Sequence, residues 1–137
     1  MSVILLRHAA AGERGDWDGD DTGRPLDERG RRQALVLRDL SRRGIGRIVS
    51  SPYVRCIESV EPLAQALQLP VELDDRLAEG AQPAQTLALL AELDGGVACT
   101  HGDIVEGVLG RSLKKGAAAV VDVDADGAAL LEILPAP

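Results

Sequence analysis

The sequence predicts an α/β fold of three layers, in which a mostly parallel central sheet is covered by helices on both faces. Short apolar runs alternate along the chain with segments whose apolar residues recur at helical spacing, and this alternation is typical of parallel sheets. The last two apolar runs are separated by a turn at Asp126-Gly127, which predicts a hairpin. We therefore expect an antiparallel edge at the C-terminal end.

The first half of the chain carries clear start and stop signals. Gly44 is a typical helix stop, and Ser51-Pro52 predicts an N-cap followed by a proline in the first turn. The segment Ala9–Arg24 is polar and lacks periodicity, which predicts a loop. The predicted elements are a strand at 2–6, a helix at 27–43, a strand at 45–50 and a helix from Pro52 to about Gln68.

The second half contains shorter elements. Asp94-Gly95-Gly96 closes a helix and precedes an apolar run of four residues that reads as a strand. No linker or repeat interrupts the pattern, so we expect a single domain over residues 1–137. The predicted elements are strands at 71–73 and 97–100, helices at 83–93 and 104–109, and hairpin strands at 117–123 and 128–134.

Composition excludes several classes of partner. Trp17 and Tyr53 are the only aromatic residues, so few side chains can stack bases, and the core must be aliphatic. The net charge of −7 argues against binding to nucleic acid polymers or anionic membranes. A few converging arginines can still form a local anion site on an acidic protein.

The two cysteines suggest a reducing environment. Cys56 and Cys99 form no CxxC pair and no cluster with metal-ligand spacing, so we expect reduced thiols in a cytoplasmic protein. The chain shows neither the pattern of a signal peptide nor an apolar stretch long enough to span a membrane.

Both histidines of the chain follow predicted strands. His8 comes after the first strand together with Arg7, and His101 comes after the strand at 97–100. Arg55 falls in the first turn of the helix after the second strand, where free backbone N–H groups favour an anion. The carboxyl ends of parallel strands share one edge, so these four side chains are expected to converge there. Because guanidinium groups match phosphate oxygens, the sequence predicts a phosphate site.

Several motifs in sequence order resemble the histidine phosphatase superfamily, which has the phosphoglycerate-mutase-like fold. The short length and the Arg-His-Ala-x-Ala start look most like bacterial phosphohistidine phosphatases, and the tail also resembles phosphatase domains fused to Nudix hydrolases. The motifs that carry the resemblance are Leu5-Leu6-Arg7-His8-Ala9, Arg24-Pro25-Leu26 with Gly30, Ser50-Ser51-Pro52-Tyr53-Val54-Arg55, Glu61-Pro62-Leu63-Ala64, Arg76-Leu77-Ala78-Glu79 and Thr100-His101-Gly102.

The resemblance implies a role for each matching residue. His8 would be the nucleophile that forms a phosphohistidine, and Arg7, Arg55 and His101 would bind the phosphoryl oxygens. Glu79 would act as general acid and then as general base, with His101 as a further catalytic group. No metal or other cofactor is implied. Two positions depart from the common pattern: Ala9 stands where glycine is usual, and Arg14 where asparagine is frequent.

The implied activity is hydrolysis of a phosphate monoester or a phosphohistidine, and the substrate stays open among a phosphorylated protein, a nucleotide and a small phosphorylated metabolite. The absence of long capping insertions favours a phosphoprotein weakly. We expect a monomer or a weak homodimer. Two alternatives remain: a non-catalytic phosphate-binding module, and a Mg²⁺-dependent phosphatase of the haloacid dehalogenase type, because Asp18-Gly19-Asp20-Asp21-Thr22 fits its DxDxT pattern. Trp17 is interpreted either as an anchor of its loop or as a wall of the site.

Overall fold

The computed structural model describes residues 2–124 and 126–137. The prediction of a single domain over 1–137 includes Met1 and Ala125, which lie outside the described residues. The described elements are β1 (Ser2–Arg7), α1 (Glu28–Leu37), β2 (Ile48–Ser50), α2 (Val54–Leu67), β3 (Val71–Leu73), α3 (Pro83–Leu90), β4 (Val97–Thr100), α4 (Gly102–Leu109), β5 (Ala118–Asp124) and β6 (Gly127–Leu134). Short 3-10 turns occur at Arg14–Asp16, Asp21–Gly23, Arg38–Arg43 and Asp75–Leu77.

The strands form one mixed sheet in the order β3-β2-β4-β1-β5-β6. The first four strands in this order pair in parallel, whereas β5 runs antiparallel to both β1 and β6. The predicted parallel sheet with an antiparallel C-terminal edge is therefore confirmed. Strands β1 and β4 lie side by side at the centre, and their last residues, Arg7 and Thr100, are partners in the register.

Alternate residues of β1 supply two separate cores, as expected for a sheet buried on both faces. Val3 and Leu5 pack in a cluster with residues of α3 and α4, and Ile4 and Leu6 pack in a second cluster with residues of α1 and α2. Both clusters are aliphatic apart from two cysteines in the second. This arrangement confirms the three-layer architecture. None of the described helices is long and apolar enough to cross a membrane.

Two predicted helix boundaries were wrong for identifiable reasons. Helix α2 begins at Val54 with Tyr53 at its N-cap position, and Ser51 does not cap it. The Ser51 hydroxyl instead lies 2.9 Å from Nε2 of His101 and accepts a hydrogen bond from the Tyr53 N–H. The helix predicted at 27–43 changes to a 3-10 turn after Leu37, and Gly44 then ends it with φ of 70°.

The remaining elements agree with the predictions except at their ends. Strand β2 is shorter than predicted, α3 ends at Leu90, and α4 begins at Gly102 rather than at Ile104. The predicted loop Ala9–Arg24 contains two of the 3-10 turns. The predicted hairpin turn at Asp126-Gly127 adjoins Ala125, and Gly127 opens β6 with φ of 140°.

Gly30 allows α1 to pack against the segment that follows β1. The Asp27 N–H donates to the Ala10 carbonyl at 3.1 Å, which draws the start of the helix onto this segment. A Cβ atom at Gly30 would overlap the Ala10 carbonyl oxygen. The close approach therefore requires glycine, and it fixes the backbone two residues beyond His8.

We expect Gly30→Ala to destabilise the protein by at least about 2 kcal/mol, because the overlap outweighs the better helix propensity of alanine. Chemical denaturation followed by far-UV circular dichroism measures this change. Gly46→Ala is the matched control, since a Cβ there meets no atom within 4 Å. Equal stability of the two variants would contradict the packing argument.

Candidate active site

The register of the central strands brings the two histidines together. His8 and His101 follow the paired residues Arg7 and Thr100, and their rings lie edge to face with centroids 5.5 Å apart. Both side chains are buried. Arg55, in the first turn of α2, is also buried although it carries a charge. The structure thus brings together, at one edge of the sheet, the four residues predicted to converge there: Arg7, His8, Arg55 and His101.

These side chains line a cavity of about 530 Å³, which lies in the size range of small-molecule sites. Both cationic and anionic side chains line it. Its residues are Arg7, His8, Gly12, Glu13, Arg14, Arg24, Arg55, Glu79, His101, Gly102, Asp103, Glu106, Ser112 and Lys115.

The His8 ring is held in one tautomer. Its Nδ1 lies 2.7 Å from the Ala9 carbonyl oxygen, which can only accept, so Nδ1 carries the hydrogen and Nε2 keeps its lone pair. Burial and the nearby charges of His101, Arg55 and Arg7 lower the pKa of His8, the hydrogen bond to Ala9 raises it, and the net result is a pKa of about 3. At neutral pH His8 is therefore an uncharged imidazole with a free electron pair.

Arg7 depends on a glycine in the neighbouring helix. Its Nη1 donates to the Leu113 carbonyl at 2.6 Å. A Cβ atom at Gly102 would lie 2.9 Å from Cζ of Arg7, so a larger residue would displace the guanidinium. Gly102 thus lets α4 begin directly against the Arg7 side chain.

Arg55 is buried among acceptors. Its Nη1 donates to the Asp21 carbonyl at 2.9 Å, and its Nη2 donates to the carboxylates of Asp21 at 3.1 Å and Glu79 at 2.8 Å. Its guanidinium also lies over the Tyr53 ring, 4.9 Å from the centroid. These contacts compensate for taking the charge out of water.

His101 contacts Ser51 on one side and faces Glu79 on the other. Because the Ser51 hydroxyl accepts from Tyr53, its own hydrogen is available to His101 Nε2 at 2.9 Å, which leaves a hydrogen on Nδ1 in the neutral ring. That Nδ1 is 3.8 Å from Oε2 of Glu79. The Cys56 sulfur is 3.6 Å from Nε2.

Glu79 reaches the site from the turn before α3. The Thr100 hydroxyl donates to the Leu77 carbonyl at 2.6 Å, and the Gly80 N–H donates to the Asp103 carboxylate at 2.9 Å, which together hold this segment against β4 and α4. Besides Arg55, the Glu79 carboxylate accepts two hydrogen bonds from Nη2 of Arg14, at 2.9 and 3.1 Å. The structure thus brings Glu79 next to the other site residues.

Sequence reasoning missed several residues of the site, and three of them make hydrogen bonds that organise it. Buried Arg24 donates to the Ala11 carbonyl at 2.6 Å and to the Asp21 carboxylate at 2.8 Å, which ties the loop Ala9–Arg24 across the cavity. Asp21 contacts Arg55, and Ser51 contacts His101. Ser51 had a usable positional signal, because it follows β2 and therefore lies at the same edge of the sheet, whereas Arg24 was noted only as part of the family-like stretch Arg24-Pro25-Leu26. Asp21 and Arg24 both lie in the loop Ala9–Arg24, which has no periodicity.

Three buried side-chain nitrogens have no hydrogen-bond partner among the described residues, and all three belong to this site. They are Nε of Arg7, Nε of Arg55 and Nδ1 of His101. Buried donors are nearly always paired, so a group of unpaired ones in residues that line one cavity indicates that the site accommodates an acceptor.

The described residues contain no group of three or more His, Cys, Asp or Glu side chains placed to hold a metal ion. The segment Asp18–Thr22 does not follow a strand, and the Asp20 carboxylate instead accepts from the Thr22 N–H at 2.9 Å in a 3-10 turn. The haloacid dehalogenase motif requires a strand directly before it, so this segment lacks the context for that alternative.

Comparison with known proteins shows the family. The sequence profile of the histidine phosphatase superfamily (branch 1) matches residues 3–84, more than half of the chain. The chain therefore belongs to the histidine phosphatase superfamily, and the resemblance seen in its motifs is confirmed.

One curated relative is an 8-oxo-(d)GTP phosphatase of Mycolicibacterium smegmatis, 37% identical over 116 residues that cover 79% of this chain and 36% of the relative. The chain thus spans about a third of that relative's length. Two solved structures share the fold: a protein histidine phosphatase SixA complexed with tungstate, with a TM-score of 0.76, 22% identity and 98% and 97% of the two chains covered, and a mycobacterial glucosyl-3-phosphoglycerate phosphatase, with a TM-score of 0.74, 18% identity and 99% of each chain covered.

We expect His8 to remain neutral at pH 5, because burial disfavours its imidazolium form. Proton NMR of the two histidine rings between pH 8 and 4 measures this, with His8→Asn assigning the signal. A His8 signal that titrates with a midpoint near 6.5, the ordinary histidine value, would refute this account of the site.

Proposed function

We propose that this protein is a metal-independent phosphatase that works through a covalent phospho-His8 intermediate. The observation that supports this most strongly is the set of unpaired donors on Arg7, Arg55 and His101 beside a neutral His8. Membership of the histidine phosphatase superfamily supports phosphatase activity.

In the first step, the lone pair of His8 Nε2 attacks phosphorus, a P–N bond forms and the bond from phosphorus to the leaving group breaks. The guanidinium groups of Arg7 and Arg55 and the His101 Nδ1–H donate to the phosphoryl oxygens, where charge is spread in the transition state. In the second step, water attacks the phosphohistidine, the P–N bond breaks, and phosphate leaves with His8 neutral again.

Glu79 is proposed to move the protons of both steps. Its protonated carboxyl would donate to the leaving group, and the resulting carboxylate would accept a proton from the attacking water. Its contact with Arg55 and its distance of 3.8 Å from His101 Nδ1 support a position beside the phosphoryl group. Leaving groups that depart readily as anions or as neutral imidazole need this acid less.

The proposed substrate class is a phosphorylated protein or a small phosphorylated molecule. The curated relative that acts on 8-oxo-(d)GTP supports a nucleotide, and the shared fold of the protein histidine phosphatase SixA is compatible with a phosphohistidine. A single domain, cytoplasmic location and a monomeric or weakly dimeric state are part of the same proposal.

Hydrolysis of p-nitrophenyl phosphate in the presence of EDTA tests the mechanism. We expect the activity to survive chelation and to fall by at least about 10³-fold in His8→Ala, because the variant lacks the nucleophile. Loss of activity on chelation would contradict a metal-independent reaction. Tight phosphate binding without turnover of p-nitrophenyl phosphate or of phosphohistidine would indicate a non-catalytic binding module instead.

Glu79→Gln tests the proton transfers, because glutamine keeps the shape of the side chain and cannot exchange a proton. We expect kcat/KM to fall by about 10²-fold or more for an alkyl phosphate such as glycerol phosphate, and by much less for p-nitrophenyl phosphate, whose leaving group needs no acid. Glu72→Gln is the matched control, since Glu72 pairs with Arg47 at 2.8 Å on β3, away from the cavity. Equal losses on both substrates would contradict a general acid role.

A further inference from the structure

A second, smaller cavity adjoins the candidate active site. Its volume is about 200 Å³, and it shares Gly12, Glu13 and Arg24 with the larger cavity that contains His8. A molecule whose phosphoryl group lies at His8 can therefore extend past Arg24 into this space. The two cavities together fall within the range of about 300–1,000 Å³ that is typical of small-molecule sites.

One wall of the smaller cavity is the indole of Trp17, the only tryptophan of the chain. Its Nε1 donates to the Asp20 carbonyl at 2.9 Å, and Gly19 lies beside the ring, so the indole is held in one orientation. Trp17 is nevertheless 39% exposed. Pro25 and Leu26 add apolar surface to the same cavity. The hydrogen bond explains how Trp17 anchors its loop but leaves the exposed aromatic surface without a partner among the described residues.

We propose that Trp17 stacks against the base of a nucleotide whose terminal phosphoryl group lies at His8, so that the smaller cavity is a nucleobase subsite. This inference rests on the proposed function, because it takes the phosphoryl site as given. A nucleotide combines a planar base with a phosphate, and the two cavities combine the fixed indole of Trp17 with the proposed phosphoryl site at His8. Every base has a face that can stack on an aromatic ring. A phosphopeptide would need an extended groove, whereas this cavity has a volume of only about 200 Å³.

The rim of the subsite favours a base with N–H donors. The carboxylates of Glu13 and Asp16 line it, and each can only accept. The paired ring and amino N–H groups of guanine match a carboxylate with two parallel hydrogen bonds. Guanine nucleotides are therefore the probes we choose.

The single tryptophan makes stacking directly measurable. His8→Ala, which cannot turn the ligand over, is titrated with GMP, GDP and GTP, and tryptophan emission is recorded with correction for nucleotide absorbance. We expect saturable quenching by at least one of the three and none by ribose 5-phosphate, which lacks the base. Absence of quenching by all three nucleotides would overturn the proposal, and so would quenching by a phosphohistidine peptide alone.

Kinetics on the active protein separate stacking from loop anchoring. We expect Trp17→Leu to lower kcat/KM for a hydrolysed nucleotide about tenfold more than it lowers kcat/KM for ribose 5-phosphate. A tenfold difference is the size expected for the loss of one stacked base. Trp17→Phe keeps an aromatic face but loses the bond to Asp20, so it should recover most of this difference. Equal effects of Trp17→Leu on both substrates would mean that Trp17 only anchors the loop.

A control variant and the choice of substrates separate failure of the subsite from failure of the phosphatase function. Leu73→Ala is the control variant, because Leu73 is also an exposed apolar residue but lies on β3 at the far edge of the sheet. If wild-type protein hydrolyses none of the phosphates, the proposed phosphatase function fails, whereas the fluorescence titration still tests the subsite. If sugar phosphates are hydrolysed but nucleotides neither quench nor react, only the subsite is refuted.

Discussion

The parallel pairing of β1 with β4 is the constraint on which the site depends. The register that sets Arg7 opposite Thr100 also sets His8 beside His101, because His8 directly follows Arg7 and His101 directly follows Thr100. Strand pairing on the other side of β4 then brings Ser51, which follows β2, within reach of the His101 ring. A slip of one residue would turn these side chains to the opposite faces of the sheet and also exchange the residues that face its two cores.

The site balances cations against carboxylates rather than concentrating one charge. Arg55 is taken out of water with Asp21 and Glu79 as its counter-charges. Although burial alone raises the pKa of Asp21, its hydrogen bond with Arg24 and the charges of Arg55, Arg24 and Arg14 hold the pKa below its ordinary value. A phosphoryl group that binds here therefore competes with carboxylates for the same guanidinium groups.

The sequence was sufficient for the features that depend on local pattern. Apolar runs followed by Arg7-His8 and by His101-Gly102 locate both histidines, because the ends of parallel strands share an edge whatever the details of packing. Ser51 was misassigned as an N-cap, since its hydroxyl is drawn to His101 by a strand pairing that no local pattern contains.

The other residues that local pattern did not predict are positioned by contacts between segments distant in sequence. Glu79 could be suggested only from the family resemblance, because its position depends on contacts of its turn with Thr100 and Asp103. Asp21 and Arg24 were missed for a similar reason. Their loop has no periodicity, and its course across the cavity follows from ion pairs between residues that are distant in sequence.

The aliphatic core has a consequence for how unfolding would be observed. Neither core cluster contains an aromatic residue. Of the two aromatic residues of the chain, Trp17 lines the smaller cavity and Tyr53 packs against the His101 ring. Near-ultraviolet absorption and emission thus report on the loop and on the start of α2. Unfolding of the sheet has to be followed by its backbone signal in far-ultraviolet circular dichroism. A melting curve recorded by tryptophan emission would follow local opening of this region, and its midpoint would fall below that of the backbone signal if the loop detaches before the sheet unfolds.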